Sequence, residues 1–80
     1  MNLRKTAKRL QMALCHRGRY IRINQIQYYS SKTETIGTIY QVCETVFDEE
    51  RGKKRREVYC ESPRMADVVE VLLSLYKGGE

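Results

Sequence analysis

The 80-residue sequence predicts an α+β fold in the order α-β-β-β-α, a three-stranded antiparallel sheet with two helices packed on one face. Three observations carry that expectation. Leu3, Ala7, Leu10 and Leu14 recur at helical spacing near the start. From Arg19 onward, β-branched and aromatic residues alternate with polar ones through three runs. Ser62-Pro63 then opens a second amphipathic segment. With 41% hydrophobic residues, one Pro and no low-complexity tract, the chain is expected to form one globular domain over residues 1–80. Size scaling gives such a domain a folded surface of about 5,000 Å².

The first helix is expected over residues 2–16. Its apolar stripe falls at i, i+4, i+7 and i+11, Asn2 is placed to cap it, and Gly18 supplies a left-handed residue at its end. Lys5, Lys8, Arg9, Met12 and His16 share another face, with Arg4 beside it, and Arg17 and Arg19 flank the exit. In the first strand, Ile21 and Ile23 alternate with Arg22 and Asn24. The apolar phase then slips to Ile26 and Tyr28, which predicts a bulge near Asn24-Gln25. Ser30-Ser31-Lys32-Thr33 reads as a turn.

A second strand is expected over residues 35–47, with Ile36, Thr38, Tyr40 and Val42 on one face and Ile39, Cys43 and Phe47 on the other. A loop over residues 48–52 and a third strand over residues 53–61 follow. The second helix begins with Ser62 as cap and Pro63 at the first helical position, where its missing N–H costs nothing. Met65, Val68, Val69, Leu72, Leu75 and Tyr76 form its apolar face, and Gly78-Gly79 is expected to stop it.

Charge divides the chain more sharply than hydropathy. The net charge is +5, yet residues 1–33 hold eight Lys/Arg and no acid, while residues 34–80 hold seven basic residues and all ten acids. An acid-free stretch of that kind suits a polyanion, because cations that neutralise phosphates release condensed counterions. The expected contacts are Arg4, Lys5, Lys8, Arg9, Arg17, Arg19 and Arg22. Lys53, Lys54, Arg55 and Arg56 form a second basic group on a hairpin, flanked by Asp48, Glu49, Glu50 and Glu57, which are placed to pair with it. Five phosphate contacts would give a log–log salt slope of about −4.5 on duplex DNA. Six tyrosines are many for this length, and Tyr28, Tyr29, Tyr40 and Tyr59 are candidate interface anchors or base-stacking platforms.

Catalysis finds little support. His16 is the sole histidine, and no Gly-rich phosphate loop, Ser-His-Asp set or metal-chelating cluster is present, so no enzyme, cofactor or metal is expected. Cys15, Cys43 and Cys60 are scattered and odd in number, which fits reduced thiols in the cytoplasm. No run approaches the roughly 18 apolar residues of a membrane span, and no apolar segment behind Arg4-Lys5 reads as a secretory signal.

The α-β-β-β-α order resembles the double-stranded-RNA-binding domain, a family that grips RNA with its first helix, the loop between its first two strands and a Lys-rich start to its second helix. The basic first helix fits that pattern. Ser30 to Glu34 lacks the family's Gly-Pro-x-His sequence, and Ser62-Pro63-Arg64-Met65-Ala66-Asp67 has one cation, so the likeness is one of topology. Residues 19–76 also look like the three-strand-plus-helix N-terminal domain of phage and transposon integrases, through Arg51-Gly52-Lys53-Lys54-Arg55-Arg56 and Met65-Ala66. The whole chain is similar to short reading frames of bacterial prophages and conjugative elements, through Arg22-Ile23-Asn24-Gln25-Ile26-Gln27-Tyr28-Tyr29-Ser30 and Met65-Ala66-Asp67-Val68-Val69. That resemblance implies either a DNA- or RNA-handling protein or a small inhibitor of a host defence nuclease or ribonucleoprotein, of anti-CRISPR type. A homodimer with no other ligand is the third expectation.

Overall fold

Asn2 opens the first helix as its position predicts. The computed structural model describes residues 2–78. In it, Asn2 Oδ1 accepts the N–H groups of Arg4 and Lys5 at 3.1 and 3.2 Å and starts α1 (Leu3–His16). The helix closes with a Schellman pair. Arg19 N–H donates to the Leu14 carbonyl and Gly18 N–H to that of Cys15, both at 2.9 Å, with Gly18 at φ 83°. Three antiparallel strands follow in the order β1 (Ile21–Ser30), β2 (Thr35–Asp48) and β3 (Lys53–Ser62), forming one open sheet with β2 at its centre. The chain ends its described part in α2 (Met65–Gly78). α2 therefore starts later than Pro63 predicts: Ser62 is the last residue of β3 and Pro63 lies outside the helix, because Ser62 still pairs with Tyr40. The Ser62 Oγ nevertheless accepts from Arg64 N–H at 3.1 Å and donates to Asp67 Oδ2 at 2.5 Å, bracing the approach to the helix. Gly78 is still helical, and Gly79 lies outside the described residues.

Two further local expectations need correction. β1 pairs with β2 without a break from Ile21↔Glu44 to Ser30↔Thr35, so there is no bulge at Asn24-Gln25. The apolar phase slip there marks a change of covered face. Ile21 and Ile23 pack under the helices, whereas Ile26 and Tyr28 lie on the opposite, uncovered face. The bulge of this sheet is in β3, where Val42 faces Cys60 but Cys43 faces Val58, leaving Tyr59 as the extra residue. The first turn also begins one residue later than expected, since Ser30 still pairs with Thr35.

The core is the layer between helices and sheet: Ala7 and Leu14 from α1, Ile21 and Val42 from the sheet, and Val68, Val69 and Leu72 from α2. Burying each large aliphatic contributes about 1.5–3 kcal/mol. α2 sits over β2 and β3, while α1 packs mainly against α2 and touches β1 less. Both hairpin ends run past the helices. The result is a flat body of 45 × 35 × 15 Å, with a radius of gyration of 14.5 Å and a surface of 6374 Å². Size scaling expects about 12 Å and about 5,000 Å² for a compact domain of this length. Tyr29 and Ile36, paired near the first hairpin tip, remain 67% and 70% exposed. No helix among the described residues is long and apolar enough to cross a membrane.

The two hairpins share one loop plan. Each has four residues between its last paired positions, Ser30↔Thr35 and Asp48↔Lys53, and each ends that loop at positive φ, 52° at Glu34 and 63° at Gly52. Glycine takes that conformation freely, whereas a residue with a Cβ is strained there by about 1–2 kcal/mol. Asn is the side chain that tolerates it best. Glu34→Asn is therefore expected to raise stability by about 0.5–1 kcal/mol, read as a higher thermal midpoint. An unchanged or lower midpoint would contradict the strain.

Candidate nucleic-acid interface

α1 presents an exposed group of basic side chains. Lys5, Lys8 and Arg9 project to solvent with Met12 and His16, bordering a shallow open depression that Ala13 floors. The spacing from Lys5 to His16 follows one face of the helix over about 16 Å. Arg4 stands beside this face, its guanidinium donating to Tyr40 Oη at 3.1 Å. α1 carries no acidic residue. Among the described residues, none of Arg4, Lys5, Lys8 and Arg9 forms an ion pair, the three ion pairs being made by Arg19, Arg51 and Arg55. The Asn2 cap already occupies the first free N–H groups of the helix, so an anion here would be held by side chains.

Arg17 and Arg19 are engaged by other parts of the fold, Arg17 at the surface and Arg19 part-buried. Arg17 lies over the Tyr76 ring, 3.9 Å from its centroid, and donates to the Tyr76 carbonyl at 2.7 Å. Arg19 reaches the Leu75 carbonyl at 3.5 Å. Both cations therefore sit at the negative end of α2 and satisfy carbonyls that the helix leaves unpaired. Arg19 also forks onto Glu44, with Nη2 to Oε1 at 3.0 Å and Nε to Oε2 at 3.4 Å. Tyr59, aimed by the bulge, donates its hydroxyl to the same Oε1 at 2.7 Å. The Arg19 hydrogen bond holds the buried Glu44 carboxyl below its ordinary range, against desolvation, and Tyr59 adds to the effect. Glu44 in turn raises the Arg19 guanidinium above its ordinary range. Burial, then the bond to Glu44, raises the Tyr59 hydroxyl.

The remaining candidates are spread over the sheet. Arg22 is exposed and, next to the inward Ile21, belongs to the face away from the helices. Lys53 to Arg56 lie on β3, at the opposite edge from β1. Part of the acid pairing expected there is present: Arg55 meets Glu57 at 2.9 Å, and Arg51 meets Asp48 at 3.9 Å. Arg56 is tied to the Gln41 amide oxygen. The eleven basic candidates thus do not form one surface; α1 gathers Arg4, Lys5, Lys8 and Arg9, and the others separate.

The tyrosines divide as well. Tyr40 and Tyr59 pack against the core on the helix side, which removes them as free anchors. Tyr28 is on the uncovered face, with its ring across Gly37 so closely that a Cβ there would come 2.4 Å from the ring. Tyr29 is free on the helix side beyond the reach of the helices. The uncovered face also exposes Ile26, Phe47 and Val58. Cys15, Cys43 and Cys60 are free thiols, and burial pushes that of Cys60 up. Among the described residues, no three His, Cys, Asp or Glu side chains gather at one point.

Comparison with family models, curated proteins and solved structures finds no match. The site is therefore defined by its own geometry. The residue that sequence reasoning missed is Glu44, which selects Arg19 and Tyr59 for the interior. It is the one charge between Thr35 and Phe47, a span whose other ionisable side chains are Tyr40 and Cys43. A lone acid in an apolar strand must find a cation when buried, and that was the available signal.

Proposed function

We propose that this protein binds the phosphate backbone of a nucleic acid through the exposed face of α1. One observation carries the reading: four cations stand on a helix without acids and make no ion pair among the described residues, two of them in its first turn. A cation at a helix N-terminus opposes the macrodipole and loses about 0.3–1 kcal/mol. The fold offers Lys5 no compensating partner, and a phosphate would supply one. Phosphate contact positions a protein without reading bases, so weak sequence selectivity and strong salt dependence follow.

The test is fluorescence anisotropy with labelled duplex DNA, duplex RNA and single strands across a salt series. Four contacts predict a slope of about −3.6 on duplex DNA, each worth about 0.9. Lys5→Glu should weaken binding and lower the slope, yet raise stability by about 0.3–1 kcal/mol through the macrodipole. Opposite signs in binding and stability separate a ligand-contacting lysine from a solubilising one. Absence of binding to every probe at low salt overturns the reading.

The second reading, a protein-binding inhibitor of a host defence nuclease, draws on the uncovered sheet face with Ile26, Phe47 and Val58 exposed. It predicts that Phe47→Asp abolishes capture of a nuclease subunit, in nuclease-treated extract, while Lys5→Glu leaves capture intact.

A further inference from the structure

β1 is an edge strand guarded only near its start, by Arg22. From Ile23 to Ser31 there is no charge, no Pro and no Gly, whereas edge strands are commonly guarded by charges, Pro or bulges. The opposite edge has such guards, in Lys53 to Arg56 and in the bulge at Tyr59. The backbone of β1 also has a defined outward half. Ile21 N–H donates to the Arg19 carbonyl at 3.1 Å, and the Ile21 carbonyl accepts from Gln11 Nε2 at 2.8 Å, so both groups turn away from β2. The register with β2 is unbroken, and the period of two therefore directs the N–H and C=O groups of Ile23, Gln25, Gln27 and Tyr29 to the free edge. Among the described residues, no side chain hydrogen-bonds to these four, in contrast with Ile21.

We infer that β1 pairs with β1 of a second copy of the chain, antiparallel about Ile26, to make a six-stranded sheet. That register matches the strand to itself, as a two-fold contact requires. Gln25 meets Gln27 of the partner subunit and Ile23 meets Tyr29 of the partner subunit, both as hydrogen-bonded pairs. Ile26 meets its own copy on the uncovered face. Arg22 falls opposite Ser30 of the partner subunit, so no like charges meet in the seam. Beside Ile23, an open groove under α1 is bordered by Ala7, Lys8, Gln11 and Gln25. The incoming Tyr29 ring enters that groove, with Lys8 above it. This covers a side chain that is 67% exposed in the single copy and part of a surface that exceeds the expectation for the chain's size. The axis is perpendicular to the sheet, which keeps both α1 helices on one side. The pairing stands whether or not α1 binds a nucleic acid.

Sedimentation equilibrium tests it, in moderate salt so that the net charge of +5 on each copy is screened. At about 100 μM, a loading suited to a micromolar association, the wild type should sediment at twice the 9.5 kDa chain mass. Gln27→Pro removes one outward N–H and leaves the ladder to β2 intact. Ile26→Lys sets two charges face to face at the axis and changes an exposed residue. Both variants should weaken association at least tenfold while keeping the wild-type circular dichroism spectrum. Ile26→Cys should cross-link under mild oxidation, since facing residues of a non-hydrogen-bonded pair lie about 4.5 Å apart; the wild type, with its three cysteines, should not. A monomer at every concentration overturns the inference, as does a dimer that Ile26→Lys leaves intact.

Discussion

Leu14→Ala is expected to lower the stability of this domain by about 3–5 kcal/mol. Leu14 is 0% exposed and sits in the last full turn of α1, where it joins the cluster of Ala7, Ile21, Val68, Val69 and Leu72. The cost has two parts, the transfer free energy of the lost methyl groups and the cavity they leave. Relaxation is hindered here because the Leu14 carbonyl also anchors the Schellman closure through Arg17 and Arg19 N–H groups. A domain of 80 residues has about 4–12 kcal/mol of total stability, so the variant should be partly unfolded under conditions where the wild type is native. Urea denaturation followed by circular dichroism measures the loss. Leu14→Met, which conserves volume, should cost less than about 1.5 kcal/mol. A loss below about 1 kcal/mol for the alanine variant would mean that α1 is not docked as described. Because α1 carries the basic face, binding by Leu14→Ala should fall with the folded fraction and recover at temperatures or osmolyte concentrations that refold it.

Glu44→Ala is expected to cost about 2–3 kcal/mol, the second largest effect. Removing the carboxylate leaves the Tyr59 hydroxyl without its 2.7 Å acceptor and Arg19 without its forked partner. Loss of one partner from a fully buried pair costs about 3–5 kcal/mol. The Arg19 side chain is still 27% exposed and keeps the Leu75 carbonyl, which brings the figure down. Glu44→Gln retains an oxygen for Tyr59 and should cost less than the alanine variant.

The same pair sets a pH dependence with a definite sign. In the folded chain the Glu44 carboxyl titrates below its ordinary value of 4.5, mainly through the hydrogen bond from Arg19. The stabilisation is therefore complete above pH 4.5 and is lost as pH falls through the lower, folded value. The difference in stability between wild type and Glu44→Gln should be largest near neutrality and shrink as the solution is acidified. Denaturation curves at a series of pH values read it directly. A difference that stays constant down the acid limb would show that Glu44 is not held by Arg19. At the alkaline end, the raised Tyr59 hydroxyl contributes stability that is intact below its ordinary value of 10.0 and is lost as pH rises through the folded value.

Much of the fold was legible in short windows. Asn2 and Gly18 mark the ends of α1 through bonds that span only a few residues, and these bonds form as expected; Ser62-Pro63 announces α2 but lies ahead of its first residue, Met65. The apolar periods of both helices and the division of β2 into two faces were equally readable, whereas only the packing shows that Val42 is inward and Phe47 outward. The β1 bulge was misread because a phase slip has two causes that look alike along the chain. A strand either inserts a residue or outruns the layer that covers it, and only the extent of α1 and α2 over the sheet distinguishes them. The turn at Glu34 illustrates the same limit, since its left-handed backbone carries no glycine to announce it.

The candidate site was legible only as an inventory of charges. By itself the sequence determined an α+β order, a helix with a cationic face free of acids, and an uncharged run from Ile23 to Ser31, because each rests on neighbours three or four positions apart or on composition. Only the tertiary structure decided which cations remain available. Arg19 finds Glu44 across 25 positions and Arg17 finds Tyr76 across 59, while Arg22 and Lys53 to Arg56 are carried to another face and another edge. The physical reason is that a buried carboxylate and the open end of α2 each demand a cation, and folding brings the demand to residues that the chain holds far apart.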